Sequence, residues 1–308
     1  MANPLGSLST EQVDRRLAGL DEMTVPAIVH AMNQADFAVP VAVQQALPAI
    51  AAAIIAAEPG FAAGGRLVYV GAGTSGRLGV LDASECPPTF HTDRDRVVGL
   101  VAGGPIALVE AVEGAEDDRS AGALQLDELV VGPGDTVVGL AASGRTPYVT
   151  GALVRARERG ALTVSVACNS PADLSAVADF PIEVAVGTEV ISGSTRLKAG
   201  TAQKQVLNMI STTLMVRTGR TYGNLMVELA PTNAKLRERA TRLVALIAEV
   251  HDDEARLALE LTDWEVKTAV VVLRRGVGAA DARAQLSRSA GRLAGAIGVR
   301  SSEHPALR

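Results

Sequence analysis

The chain has little of what builds covalent or metal-held scaffolds. Only two cysteines occur, Cys86 and Cys168. That is no disulfide framework, and it suits a reducing, cytoplasmic compartment. The four histidines, His30, His91, His251 and His304, lie far apart without metal-ligand spacing, so no metal site is expected. Lysine is scarce at four residues, which makes Lys198 and Lys204 more informative than any of the many arginines. A basic excess is also missing. The net charge of −5 gives no electrostatic reason to expect nucleic acid or an anionic membrane as partner. The first residues, MANPLGSLSTEQVDRR, lack a positive segment followed by an apolar one, so no signal peptide is expected. The longest apolar run, around 46–57, contains Pro48 and reads as too short to span a bilayer.

What is present is a large apolar fraction. Hydrophobic residues make up 48% and charged residues 20% of 308, enough for a sizeable core and too apolar for wholesale disorder. Residues 10–60 read as helices, with a start signal at Ser9 and Thr10 and helical apolar spacing over 25–57. From residue 65 short apolar runs take over, each followed by a glycine- or hydroxyl-rich turn and then a helical stretch. They lie at 66–70, 97–102, 136–141, 162–167 and 181–186. Near-continuous apolar strands alternating with helices predict a parallel sheet covered on both faces. Five of them predict a flavodoxin-like, doubly wound α/β core. A long helix is expected over 194–218, and Pro231-Thr232-Asn233 marks a boundary. The organisation expected is N-terminal helices over 1–60, an α/β domain over 61–230 and a small all-helical domain over 231–308.

In such a sheet, ligands bind beyond the carboxyl ends of the strands. Three of the post-strand loops are rich in hydroxyls and glycine: 71–77 (GAGTSGR), 142–147 (ASGRTP) and 192–198 (SGSTRLK). Glycine lets backbone approach a ligand, hydroxyls donate hydrogen bonds, and amides at a helix start attract an anion. A phosphate monoester on a small sugar fits this pattern. Ser143 and Thr146 could instead merely cap a helix, but three such loops together favour a site. The first loop also matches G-x-G-x-x-G, yet the second strand ends Leu100-Val101-Ala102-Gly103-Gly104 without the acid that binds a ribose, which argues against a dinucleotide.

Two acidic clusters adjoin the loops, DASECPP at 82–88 and EGAEDD at 113–118. Carboxylates flanking a sugar could remove one proton and supply another. An acidic run such as 116–118 is more often a solvated helix start. Glu85, next to a cysteine and ahead of Pro87-Pro88, is less ordinary.

The segments at 71–89 (GAGTSGRLGVLDASECPPT), 113–118, 143–149 (SGRTPYV) and 189–204 (EVISGSTRLKAGTAQK) closely resemble the N-acetylmuramic acid 6-phosphate etherases. The resemblance continues through 208–211, 223–227 and 232–239 and covers nearly the whole chain. It implies a homodimeric sugar isomerase (SIS) domain with a small C-terminal helical domain and sites near the subunit interface. The implied reaction cleaves the C3 lactyl ether of the sugar, giving N-acetylglucosamine 6-phosphate and D-lactate, without metal, nucleotide or other cofactor. By the same resemblance the catalytic acids match Glu85 and Glu116, with Glu113 the neighbour most easily confused with the latter. Gly73, Thr74, Ser75, Ser143, Gly144, Arg145, Thr146, Glu189, Ser192, Ser194, Thr195 and Lys198 are the residues expected to hold the sugar phosphate. His91 stands where the family pattern has glycine. A non-catalytic sugar-phosphate-sensing regulatory protein of the same fold would keep the hydroxyl loops without needing Glu85 and Glu116. An aldose–ketose isomerase is disfavoured by the DASECPP motif.

Overall fold

A computed structural model describes residues 5–229 and 231–299. Short 3-10 turns, among them Ser9–Glu11, lead into α1 (Val25–Asp36) and α2 (Ala38–Ala62). The α/β alternation follows: β1 (Leu67–Gly71), α3 (Gly73–Phe90), β2 (Val97–Val101), α4 (Arg119–Glu128), β3 (Thr136–Ala141), α5 (Pro147–Glu158), β4 (Leu162–Ala167) and β5 (Phe180–Glu183). Next come α6 (Lys198–Arg217), a hairpin of β6 (Thr221–Tyr222) and β7 (Leu225–Met226), and five helices. These are α7 (Ala234–Ala248), α8 (Asp252–Leu261), α9 (Val266–Arg275), α10 (Ala279–Arg288) and α11 (Leu293–Ile297).

The five main strands pair in parallel in the order β2-β1-β3-β4-β5. That is the flavodoxin-like order, with the direction of winding reversing between β1 and β3. Every residue of β1 and β3 is buried, which is why these runs carry no polar alternation. On one face Val68, Val70 and Val137 pack with Leu126 of α4 and with Tyr148, Val149 and Leu153 of α5. Helix α2 packs against β3, β4 and β5. It buries Val39, Ala42, Val43, Ala46, Ile50, Ala53, Ile54, Ala57 and Phe61, a three-and-four spacing that lays one stripe on the core.

Details of the sequence reading shift. Pro48 and Pro59 lie inside α2, which runs on to Ala62, and α1 with α2 is by length and composition long and apolar enough to cross a membrane. The stripe that α2 buries is that of a helix covering a sheet. The first loop is shorter than its glycines suggest, because residues from Gly73 onward already belong to α3. β5 stops at Glu183, where its neighbour β4 has ended at Ala167. His91 adopts a left-handed backbone, φ 50°, a conformation that favours glycine.

The chain divides into two compact units, one of Met1–Ser84 and Arg94–Ser211, the other of Glu85–Asp93 and Thr212–Arg308. The second unit has its own core, in which Leu243, Val244, Ile247, Leu259, Val270 and Leu293 come together. Asn233 caps α7 through its side chain, so the boundary signal there is a helix start. Lys267 pairs with Glu228 and also donates to Gly291 O at 2.7 Å.

Candidate active site

The carboxyl ends of β1, β3 and β5 open into the three hydroxyl-rich loops. After β1, α3 begins almost at once. A Cβ on Gly76 would lie 2.5 Å from Gly71 O and 2.7 Å from Val101 Cγ2, so only glycine lets the helix start press onto the strand ends. Gly73 is exposed and Thr74 half-buried, whereas Ser75 is 7% exposed. Ser75 Oγ donates to Gln203 Oε1 of α6 at 2.9 Å. Its proton is therefore turned into the protein, and in this loop the helix-start amides and Thr74 are left for a ligand. Gln203 is 1% exposed, and its Nε2 has no hydrogen-bond partner.

After β3, Gly144 holds φ 76°, and an added Cβ would lie 2.6 Å from Ala172 Cβ. Both the left-handed backbone and the close approach demand glycine. Ser143 Oγ accepts from Arg145 N at 3.3 Å. Thr146 occupies the N-cap position of α5 but makes no side-chain capping bond, and Pro147 begins the helix. The bland reading of Thr146 as a mere capping hydroxyl therefore fails, while the serine closes a local turn. Arg145 sits 3.7 Å from Asp173 in a loose, half-exposed ion pair.

The third loop is bound to the start of α6. Glu189, 1% exposed, accepts from Lys198 N at 3.0 Å and from Ala199 N at 2.9 Å. A buried carboxylate thus meets two amides that the helix itself cannot satisfy. Lys198 is 5% exposed and donates through Nζ to Val186 O at 2.8 Å. Burial pulls its pKa below the usual lysine value, against the opposing attraction of Glu189. Ser192 is exposed, and Ser194 and Thr195 are half-buried. A Cβ on Gly200 would lie 3.5 Å from Thr74 Cγ2 and 3.6 Å from Thr195 O, so the first and third loops run side by side.

Of the acidic run, Asp118 does what a helix-start acid commonly does, accepting from Ala121 N at 2.9 Å to cap α4. Glu116 is not engaged in that cap. It is exposed, on the short turn Ala115–Asp117 that packs against α5. Glu113 is exposed just before Gly114, whose φ is 73°. Glu85, in the second unit, is exposed on α3 beside buried Cys86. Asp82 accepts from Tyr69 Oη at 2.8 Å and from Ser211 Oγ at 3.2 Å. Burial raises its pKa despite those bonds.

Sheet order and loops together define a sugar isomerase type of domain. The family model of the glucokinase regulatory protein N-terminal SIS domain matches residues 49–157. A solved phosphoheptose isomerase from Francisella tularensis is similar over 63% of this chain and 98% of its own, with 19% identity and a TM-score of 0.46. The curated relatives are far nearer in sequence. An N-acetylmuramic acid 6-phosphate etherase of Streptomyces avermitilis is 53% identical over 95% of this chain and 94% of its own length. Those of Rubrobacter xylanophilus and Halalkalibacterium halodurans are 53% and 52% identical over 97% and 93% of this chain, and 98% and 96% of their own. The chain belongs to the N-acetylmuramic acid 6-phosphate etherase family.

Proposed function

We infer that the chain is a carbon–oxygen lyase. It removes D-lactate from C3 of N-acetylmuramic acid 6-phosphate, leaves N-acetylglucosamine 6-phosphate, and serves the recycling of peptidoglycan amino sugars. The observation that carries this is identity of about half over nearly the full length of enzymes bearing that name. The loop geometry supports it. Helix-start amides of α3 and α5, with Thr74, Ser143 and Thr146, suit the 6-phosphate. Ser194 and Thr195, with Ser192 as an acceptor only because its proton goes to Glu11 O, suit the sugar hydroxyls. Glu189, Lys198 and Ser75 serve from within, as the groups that hold the loops.

The chemistry follows from the substrate. An alkyl ether is a poor leaving group, but the ring-opened sugar carries an aldehyde that acidifies the C2 proton. Glu116 takes that proton, Glu85 gives one to the departing C3 oxygen, and water adds to the unsaturated aldehyde. The elimination breaks C2–H and C3–O, and the hydration forms C3–OH and returns a proton to C2. There is no net change of oxidation state, so the route calls for carboxylates and no redox partner. In this reading the sugar-phosphate domain is assigned to 61–230, with helices at 1–60 before it in sequence and an accessory helical domain at 231–308 after it. The compact units divide earlier, after Ser211.

Self-association as a homodimer with sites near the subunit interface fits α1, which has no buried residue and exposes Val25, Val29 and Met32. A cytoplasmic setting fits two buried cysteines, neither of them in a disulfide among the described residues. Incubation with N-acetylmuramic acid 6-phosphate should release D-lactate. The match to a regulatory protein's domain keeps a sensor in view, and a sensor would bind the sugar phosphate without releasing lactate.

A further inference from the structure

We propose that the Ser9–Glu11 turn is a clasp that sets the spacing of the second and third loops, and that Asn169 is the positioning residue through which it acts. This rests on the sugar-phosphate reading of those loops and adds residues to it. Asn169 follows β4 at its carboxyl end and is 2% exposed. Its amide is used on both sides. Oδ1 accepts from Ser9 Oγ at 2.9 Å and from Thr10 N at 3.3 Å. Nδ2 donates to Thr10 Oγ1 at 3.0 Å and to Ala142 O at 3.1 Å.

Ala142 immediately precedes Ser143, so one end of this network is the backbone of the second loop. The other end is the third loop, where Gly193 N donates to Thr10 O at 3.0 Å and Ser192 Oγ donates to Glu11 O at 2.7 Å. A continuous path of hydrogen bonds thus runs from one hydroxyl loop through a single buried amide and the N-terminal turn to the other. The burial pattern marks the turn as an anchor. Leu8 is 2% and Thr10 0% exposed, while α1 further on has no buried residue. Two loops that must grip opposite parts of one small ligand need a fixed separation, because misplacement weakens every contact at once.

The expected signature is loss of affinity with the chemical step intact. Thr10→Val keeps the shape and removes the hydroxyl that meets Asn169. Asn169→Asp keeps the acceptor and removes the donor to Ala142 O. Each should raise KM, and the Kd for N-acetylglucosamine 6-phosphate measured by calorimetry, about tenfold, with kcat within about twofold of wild type. Thr10→Ser, which retains the hydroxyl, should restore wild-type affinity. Folded Thr10→Val with unchanged Kd and KM would overturn the clasp, as would a fall in kcat at unchanged KM. Should Asn169→Asp fail to fold, the Thr10 pair decides alone. Wild-type protein that binds the sugar phosphate but releases no lactate would refute the lyase reading and leave the clasp to be judged by Kd.

Discussion

Exchanging one carboxylate oxygen for nitrogen at Glu85 or Glu116 leaves the side chain's shape almost unchanged and removes its proton chemistry. Both residues are exposed, so neither exchange should disturb a core. Glu85→Gln and Glu116→Gln should each lower kcat by about 10²–10⁴-fold, the usual contribution of a general acid or base. Circular dichroism and product binding should stay as in wild type. Glu113→Gln should be milder than either, and wild-type lactate release by Glu85→Gln would remove that residue from the mechanism. A second residue-scale test concerns stability. Burial would raise the pKa of Asp135, but its bonds to Arg66 and to the Gly132 amide outweigh that and hold it below the usual carboxylate value. A folded pKa below the unfolded one stabilises fully above the unfolded value of about 4 and is lost as pH falls through the folded value. Asp135→Asn should therefore cost about 1–3 kcal/mol near neutral pH. The gap to wild type in urea unfolding should close below about pH 4. A gap that persists undiminished at pH 2 would contradict the assignment.

At the scale of elements, α6 depends on an acid nine residues ahead of its first turn. Glu189→Ala leaves two helix-start amides unmet in a buried place and should destabilise the protein by about 1–3 kcal/mol. Urea denaturation measures this, and a change below about 0.3 kcal/mol would show that water replaces the carboxylate. The strands were legible because a sheet buried on both faces leaves apolar runs bounded by turn residues, and the runs at 136–141 and 162–167 coincide with β3 and β4. Helical spacing was legible over 25–57 despite Pro48, but the end of α2 at Ala62, beyond Pro59, was not. The hydroxyl loops stood out in the sequence, but which way each hydroxyl turns did not. Ser75 faces Gln203, 128 positions away, and no local pattern encodes that pairing. Asn169 gave no signal either, being one polar residue after a strand. Its importance lies in partners 159 and 27 positions distant.

For the whole molecule, the proposed reaction is an elimination on a sugar phosphate. That route differs from a direct hydrolysis of the ether in which bonds it breaks. Elimination breaks C2–H and the bond between C3 and the ether oxygen, so the lactate keeps its own oxygen and solvent supplies the new one at C3. The most direct measurement is the reaction of N-acetylmuramic acid 6-phosphate in D₂O, with a parallel run in ¹⁸O-labelled water, read by NMR and mass spectrometry of both products. Elimination should leave deuterium at C2 and labelled oxygen at C3 of N-acetylglucosamine 6-phosphate, with unlabelled D-lactate. Lactate carrying ¹⁸O in its hydroxyl, with no deuterium at C2, would contradict it.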